Sequence, residues 1–248
     1  MLGASNLLRG LPWALAVARR RLDADRLEVF TALGHGRSYG SRSRILGRAL
    51  PGIVDCALWR DLENRPRLPT WALVTDVGND VAYGFAPDLI AGWIATCVER
   101  LQQHGAQIAL TTLPLARLER LQPWQIELTR NLLFPNSTVA SAEIQQRVRE
   151  LDQRLHDLAA HHGLPILEPL RTWYGVDPIH VRRRARHAAW EQILATWGEG
   201  ENARPAVPGF LDALRLRFLV PEERWLFGFV QRRKQPAGQL QSCPVWLY

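Results

Sequence analysis

Trp71-Ala72-Leu73-Val74-Thr75-Asp76-Val77-Gly78-Asn79-Asp80 is a short apolar run that stops in a glycine turn, and an amphipathic stretch from Asp88 to His104 follows it. Strand, turn and helix in that order form the repeating unit of a parallel sheet covered by helices. The alternation extends in both directions. The strand candidate within this run is Trp71 to Val77, and Leu27 to Leu33, Gln107 to Thr112 and Pro165 to Glu168 are the further strand candidates. Leu7 to Leu22, Ile53 to Glu63, Pro123 to Phe134, Ala142 to His162 and Arg183 to Trp197 are the further helix candidates. The clearest is Ala142 to His162, where Ile144, Val148, Leu151, Leu155 and Leu158 recur at three- and four-residue steps on one face. Gly163 stops that helix and Pro165 opens the next strand. The expected fold class is therefore α/β with a parallel sheet.

After Trp197 the pattern gives way to Gly198-Glu199-Gly200-Glu201-Asn202 and two prolines, Pro205 and Pro208, which reads as a linker. Residues 1–198 are expected to form one domain and residues 199–248 a C-terminal extension. That extension carries Phe210, Phe218, Trp225, Phe227, Phe229 and Trp246, too apolar a set to stay solvated, so it should pack on the domain or form a partner surface.

The chain has 248 residues, of which 47% are hydrophobic and 22% charged. Such a composition excludes disorder, collagen-like fibres and disulfide scaffolds. A chain of this length buries roughly 70–75% of its unfolded surface and needs no metal or disulfide staple. The net charge of +7 raises the question of a nucleic-acid or membrane partner. Its distribution argues against one: residues 1–50 hold nine arginines and three acids, whereas residues 51–248 hold 22 basic and 21 acidic residues. Lys234 is the only lysine, a usage that points to codon bias rather than to selection for phosphate contacts. Cys56, Cys97 and Cys243 are odd in number and lack zinc-site spacing, which suggests free thiols in a reducing compartment. The eight-residue apolar run Leu11 to Ala18 is followed directly by Arg19, Arg20 and Arg21 instead of the small residues of a cleavage site, so it does not read as a signal peptide, and no window reaches the roughly 18 apolar residues of a membrane span. A cytoplasmic protein is expected.

Four features fall at the carboxyl ends of predicted strands or in the loops after them, where open parallel sheets place their ligand crevice. In Gly3-Ala4-Ser5-Asn6-Leu7, Ser5 stands at the mouth of a helix, where the dipole favours an alkoxide-like oxygen. Taken by itself, the same serine is first read as an ordinary N-cap. In Gly34-His35-Gly36-Arg37, the glycines would let backbone N–H groups approach an anion, or would simply make a tight turn. With Gly40 this loop also mimics a dinucleotide fingerprint, with one residue too many. In Val77-Gly78-Asn79-Asp80, the Asn79 amide could donate to a developing oxyanion, or the pair could be plain turn chemistry. In Asp177-Pro178-Ile179-His180, Pro178 at a first helical position would make Asp177 a cap and bring His180 beside it on the same helix mouth. Asp177 could then fix the tautomer of His180; otherwise His180 is a surface histidine after a cap.

The order Gly-x-Ser, Gly, Gly-x-Asn-Asp, Asp-x-x-His over about residues 1–197 resembles the SGNH (GDSL-type) hydrolase superfamily. The resemblance implies a flavodoxin-like three-layer α/β/α sandwich with a five-stranded parallel sheet, and cleavage or transfer of acyl groups. It makes Ser5 the nucleophile, His180 the general base and Asp177 its orienting acid. Gly36, with Gly34 as the fallback, and Asn79 become oxyanion donors. No metal or organic cofactor is implied, and the partner would be a small-molecule ester.

The chain departs from the family pattern in two places. Ala4 stands where the family has aspartate, and only Met1 and Leu2 precede Gly3, although a central strand needs roughly five residues. The first strand is nearly absent: either the true start lies upstream, or something else, such as the apolar tail, takes its place. Arg37, Arg42, Arg44 and Arg48 follow the proposed oxyanion glycine with no acid among them, which favours an ester bearing a carboxylate, sulfate or phosphate, unless they form a solvated face. Trp59, Trp71, Trp93 and Trp190 fall within predicted elements and are expected in the core. An acyltransferase with the same triad and a catalytically dead anion-binding relative remain the alternative functions.

Overall fold

A computed structural model describes residues 1–23, 26–122, 124–125, 127–128, 140–198, 207–241 and 243–248. The predicted helix Pro123–Phe134 lies mostly outside them, as does most of the linker. The chain is mixed α/β with a parallel sheet. Strands β1 (Val29–Thr31), β4 (Trp71–Val74), β5 (Gln107–Thr111) and β6 (Ile166–Leu167) fall inside the apolar runs read from the sequence. β4, β5 and β6 pair in parallel.

The centre of the sheet is one residue wide. Leu2 forms parallel bridges to Ala32 on one side and Val74 on the other, through Leu2 N–H to Leu73 O at 2.7 Å, Thr75 N–H to Leu2 O at 3.0 Å and Gly3 N–H to Ala32 O at 3.0 Å. The apolar tail does not take this place. Its last strand, β10 (Cys243–Leu247), pairs in parallel with β1 on the side away from Leu2, and β9 (Gly238–Leu240) pairs antiparallel with β10. The slot between β1 and β4 is already filled by Leu2, whereas the outer edge of β1 offers an unpaired ladder that a strand can cover.

Side chains alternate between the two faces. Ala72, Val74, Ile108 and Leu110 point into one core, with Ile94 and Val98 of α4 (Pro87–Gln103) and Leu151 and Leu155 of α6 (Ser141–His162). Leu73 and Ala109 point into the other, with Leu7, Leu11 and Leu15 of α1 (Ser5–Arg21) and Trp190 and Ile193 of α7 (Arg186–Ile193). Gly163, at φ 63°, ends α6 in the left-handed conformation that glycine adopts without penalty.

A second sheet was not legible in the sequence. β2 (Ser43–Ile45) and β3 (Arg48–Leu50) form a hairpin, and β7 (Glu223–Leu226) and β8 (Phe229–Arg232) of the tail form another that pairs with β3. Of the tail aromatics, Trp246 stacks on Phe30 at 4.7 Å, whereas Phe210, Phe218, Phe227 and Phe229 are exposed. Among the remaining described elements are the short helices α2 (Leu58–Glu63), α3 (Asn79–Ala82), α5 (Leu115–Leu118) and α8 (Phe210–Leu216). No helix among the described residues is long and apolar enough to cross a membrane. The three cysteines are free and buried.

Candidate active site

Ser5 is the first residue of α1, and the cap of that helix comes from elsewhere in the chain. Asp76, just past β4, takes a left-handed backbone at φ 59° that aims its carboxylate at the helix mouth. Its Oδ2 accepts the N–H groups of Ala4 at 2.9 Å, Asn6 at 2.9 Å and Leu7 at 3.0 Å, and its Oδ1 accepts Asn6 Nδ2 at 3.0 Å. A carboxylate here satisfies the orphan donors of the first turn and suits the helix dipole. The reading of Ser5 as an N-cap is therefore replaced: its hydroxyl is free for another partner. Its backbone N–H, alone among those of residues 4 to 7, has no acceptor among the described residues.

The partner of the hydroxyl is His180, 175 positions away. Ser5 Oγ lies 2.9 Å from His180 Nε2, and His180 Nδ1 lies 2.6 Å from Asp177 Oδ2. A carboxylate can only accept, so Nδ1 donates to it and Nε2 of the neutral ring is left to accept the Ser5 proton. The predicted helix at Pro178 is not formed. Residues 176–180 make a bend in which Asp177 Oδ1 accepts the N–H groups of Ile179 at 3.1 Å and His180 at 3.2 Å, and the next helical turn begins only at Arg183. An Asp side chain that binds backbone two and three residues on competes with helix formation in this way. Burial raises the Asp177 pKa, but the hydrogen bond and charge of His180 and the two amides outweigh it and hold the carboxyl below its usual range.

Asn6 joins the two halves of the site. Its amide nitrogen donates to Asp76 Oδ1 and, at 2.8 Å, to the Ile179 carbonyl, while its oxygen accepts Val181 N–H at 2.8 Å. The residues flanking His180 are thus pinned to the residue after Ser5. Sequence reading missed both Asn6 and Asp76. Asn6 could have been flagged as a polar residue on the first turn of an otherwise apolar helix, but Asp76 was hidden inside the predicted strand Trp71–Val77.

Asn79 opens α3 and lines the same cavity as Ser5, with its amide donating to the Arg37 carbonyl at 3.1 Å. Gly36, beside Arg37, has φ 55°, and an added Cβ would overlap the Ile45 side chain. The Gly36 carbonyl accepts Tyr83 Oη at 2.6 Å, while its N–H has no acceptor among the described residues. Gly36 itself is not among the cavity-lining residues. Next to it, His35 has its pKa lowered by desolvation and then by the charges of Arg9, His180 and Arg48. Asp80 ties the loop down: buried completely, it accepts Ser38 Oγ and, at 2.8 Å, Tyr39 N–H. Burial pushes its carboxyl up to about 6, against the opposing effect of those two bonds.

The expected arginine patch is overturned. Arg37 is fully buried and donates to the backbone oxygens of Leu33 and Tyr248, and Arg42 stacks over the Trp225 ring at 3.9 Å. Neither lines the cavity, because β2 and β3 carry the segment after Gly36 away toward the tail. Trp190 is buried as expected but also forms part of the cavity wall.

That cavity, of about 170 Å³, runs from Ser5 between Val77, Leu113, Leu118, Ile144, Trp173 and Trp190, a largely apolar lining. No group of three or more His, Cys, Asp or Glu in a metal-holding arrangement occurs among the described residues. The arrangement can take a proton from a serine hydroxyl beside an apolar recess. No protein-family model and no curated protein matches the chain. Among solved structures, it is similar to an aryl esterase of M. smegmatis in an inhibitor-bound form, at 17% identity and a TM-score of 0.48, over 78% of this chain and 97% of that one. The native form of that esterase gives 16% identity and a TM-score of 0.49, over 79% and 95%. A likeness of this size assigns no function.

Proposed function

We propose that this chain is a serine acyl hydrolase of the SGNH type, acting on a small-molecule ester in the cytoplasm. The observation that carries the reading is the continuous hydrogen-bonded relay Asp177–His180–Ser5 opening on an apolar cavity. In this mechanism Ser5 Oγ attacks the acyl carbonyl as Nε2 of His180 takes its proton, and Asp177 keeps Nδ1 protonated and stabilises the imidazolium that results. The oxyanion is received by the N–H groups of Ser5 and Gly36 and by the Asn79 amide. The imidazolium returns its proton to the leaving group, and water, activated by His180, releases the acid from Ser5. The reading includes a flavodoxin-like three-layer sandwich for residues 1–198, with residues 199–248 as an extension of it rather than a second unit.

A serine-reactive alkyl phosphonate tests it. Peptide mapping should place the adduct on Ser5, and Ser5→Ala and His180→Ala should abolish labelling. Wild-type protein that stays unlabelled, or carries the adduct at another serine, overturns the reading.

A further inference from the structure

Among the described residues, five charged side chains line the cavity: Arg9, Asp76, Glu119, Arg149 and Arg186. Three of them are accounted for. Asp76 is engaged by the four N–H donors at the mouth of α1, and Glu119 pairs with Arg149 at 2.9 Å. Arg9 and Arg186 have neither an acid nor a hydrogen-bond acceptor among the described residues. The acid nearest in sequence to Arg186 on its own helix, Glu191, is held by Arg20 and Arg21. Desolvation, and then the neighbouring charges of Arg9 and Arg183, lower the pKa of Arg186. Two like charges therefore face one recess whose walls are otherwise mostly apolar, an arrangement that an anion between them would relieve.

We propose that Arg9 and Arg186 form an anion subsite on the rim of this cavity, so that the ester carries a carboxylate or comparable oxyanion on an otherwise apolar body. The inference rests on the hydrolase reading, since it names the substrate class of the same site. Arg9 lies one helical turn beyond Ser5, a spacing of ~5–6 Å between Cβ atoms, so the anion belongs a few bonds from the attacked carbonyl. The excess positive charge of residues 1–50 thus acts through Arg9 rather than through the arginines that follow Gly36.

The test uses Ser5→Ala protein, which cannot turn the ligand over, titrated calorimetrically with monobutyl glutarate and with its neutral methyl-capped diester. The monoester should bind at least ~10-fold more tightly. Adding Arg9→Gln and Arg186→Gln should remove that preference, whereas Arg44→Gln, on the exposed part of β2, should keep it. Raising NaCl from 50 to 500 mM should weaken the preference in the Ser5→Ala protein itself, a readout that needs no further substitution. Equal affinities, no binding of the monoester at millimolar concentration, a preference that survives loss of both arginines, or one indifferent to salt each overturn the subsite. Phosphonate labelling of wild-type Ser5 reads the hydrolase proposal separately, so a labelled protein without anion preference loses the subsite alone.

Discussion

Asn79, Asn6 and Asp80 do different work within one small volume. Asn79 keeps one amide hydrogen on the Arg37 carbonyl, which orients the group toward the cavity. Asn79→Ala is expected to lower kcat about 10²- to 10³-fold while phosphonate still labels Ser5, as steady-state and labelling kinetics would show. Asn6 touches no reacting atom, yet it ties the helix mouth to the residues on either side of His180, Ile179 and Val181. Asn6→Ala should cost about 10²-fold in kcat/KM, because a shift of about 1 Å in a reacting group has that effect. Supplying a longer or more reactive ester should not restore it. Asp80 gives a pH signature. Its folded pKa, about 6, is above the ordinary 3.8, so the native state favours the protonated form, and this contribution is fully present below pH ~4 and lost as pH rises through about 6. Relative to Asp80→Asn, which cannot ionise, wild type should lose up to ~3 kcal/mol of unfolding free energy between pH 4 and 7. Parallel pH dependences of the two proteins in denaturant melts would contradict the burial of a charge here.

At the scale of elements, α1 has to hold Ser5 in place while lying close against α7. Gly10 makes that contact possible: a Cβ at this position would overlap the Trp190 indole. Gly92, in the middle of α4, has open space around it. Gly10→Ala is expected to lower stability by ~1–3 kcal/mol despite the better helix propensity of alanine, and Gly92→Ala to raise it by ~0.5–1 kcal/mol. Guanidinium melts of the pair separate packing from propensity. Period alone made α1, α4 and α6 readable, because each buries one continuous apolar face. The two hairpins escaped for a local reason. Their two-residue turns, Leu46-Gly47 and Phe227-Gly228, have positive φ at both positions, yet begin with a bulky apolar residue instead of the Asn or Asp that signals such turns. The bend at 176–180 was misread because an aspartate before a proline serves an Asx turn as readily as a helix cap.

Across the whole molecule, the sheet holds together through two devices far apart in sequence: the single bridging residue Leu2 and the tail strand β10 on the outer edge of β1. Val245 of β10 is fully buried in the same core as Leu11 and Trp190, so the tail helps to support the helix that presents Ser5. Val245→Asp should cost at least ~3 kcal/mol and broaden the thermal transition followed by tryptophan fluorescence, since an unpaired carboxylate there has no partner to offset its desolvation.

By itself the sequence determined the α/β class, the positions of β1, β4, β5 and β6 and of the long helices α1, α4 and α6, and the few residues around which a site could form, because strand runs, helix periods and glycine turns are local properties of the chain. The relay itself was decided only in three dimensions, since the hydrogen bond from Ser5 to His180, and those that Asp76 accepts from Ala4, Asn6 and Leu7, depend on which loops the parallel strands bring to one end of the sheet. The same holds for the arginines. Arg37 and Arg9 are alike in the sequence, but one is sealed beneath the tail and the other lines the cavity, because burial belongs to the packed molecule and not to the residue.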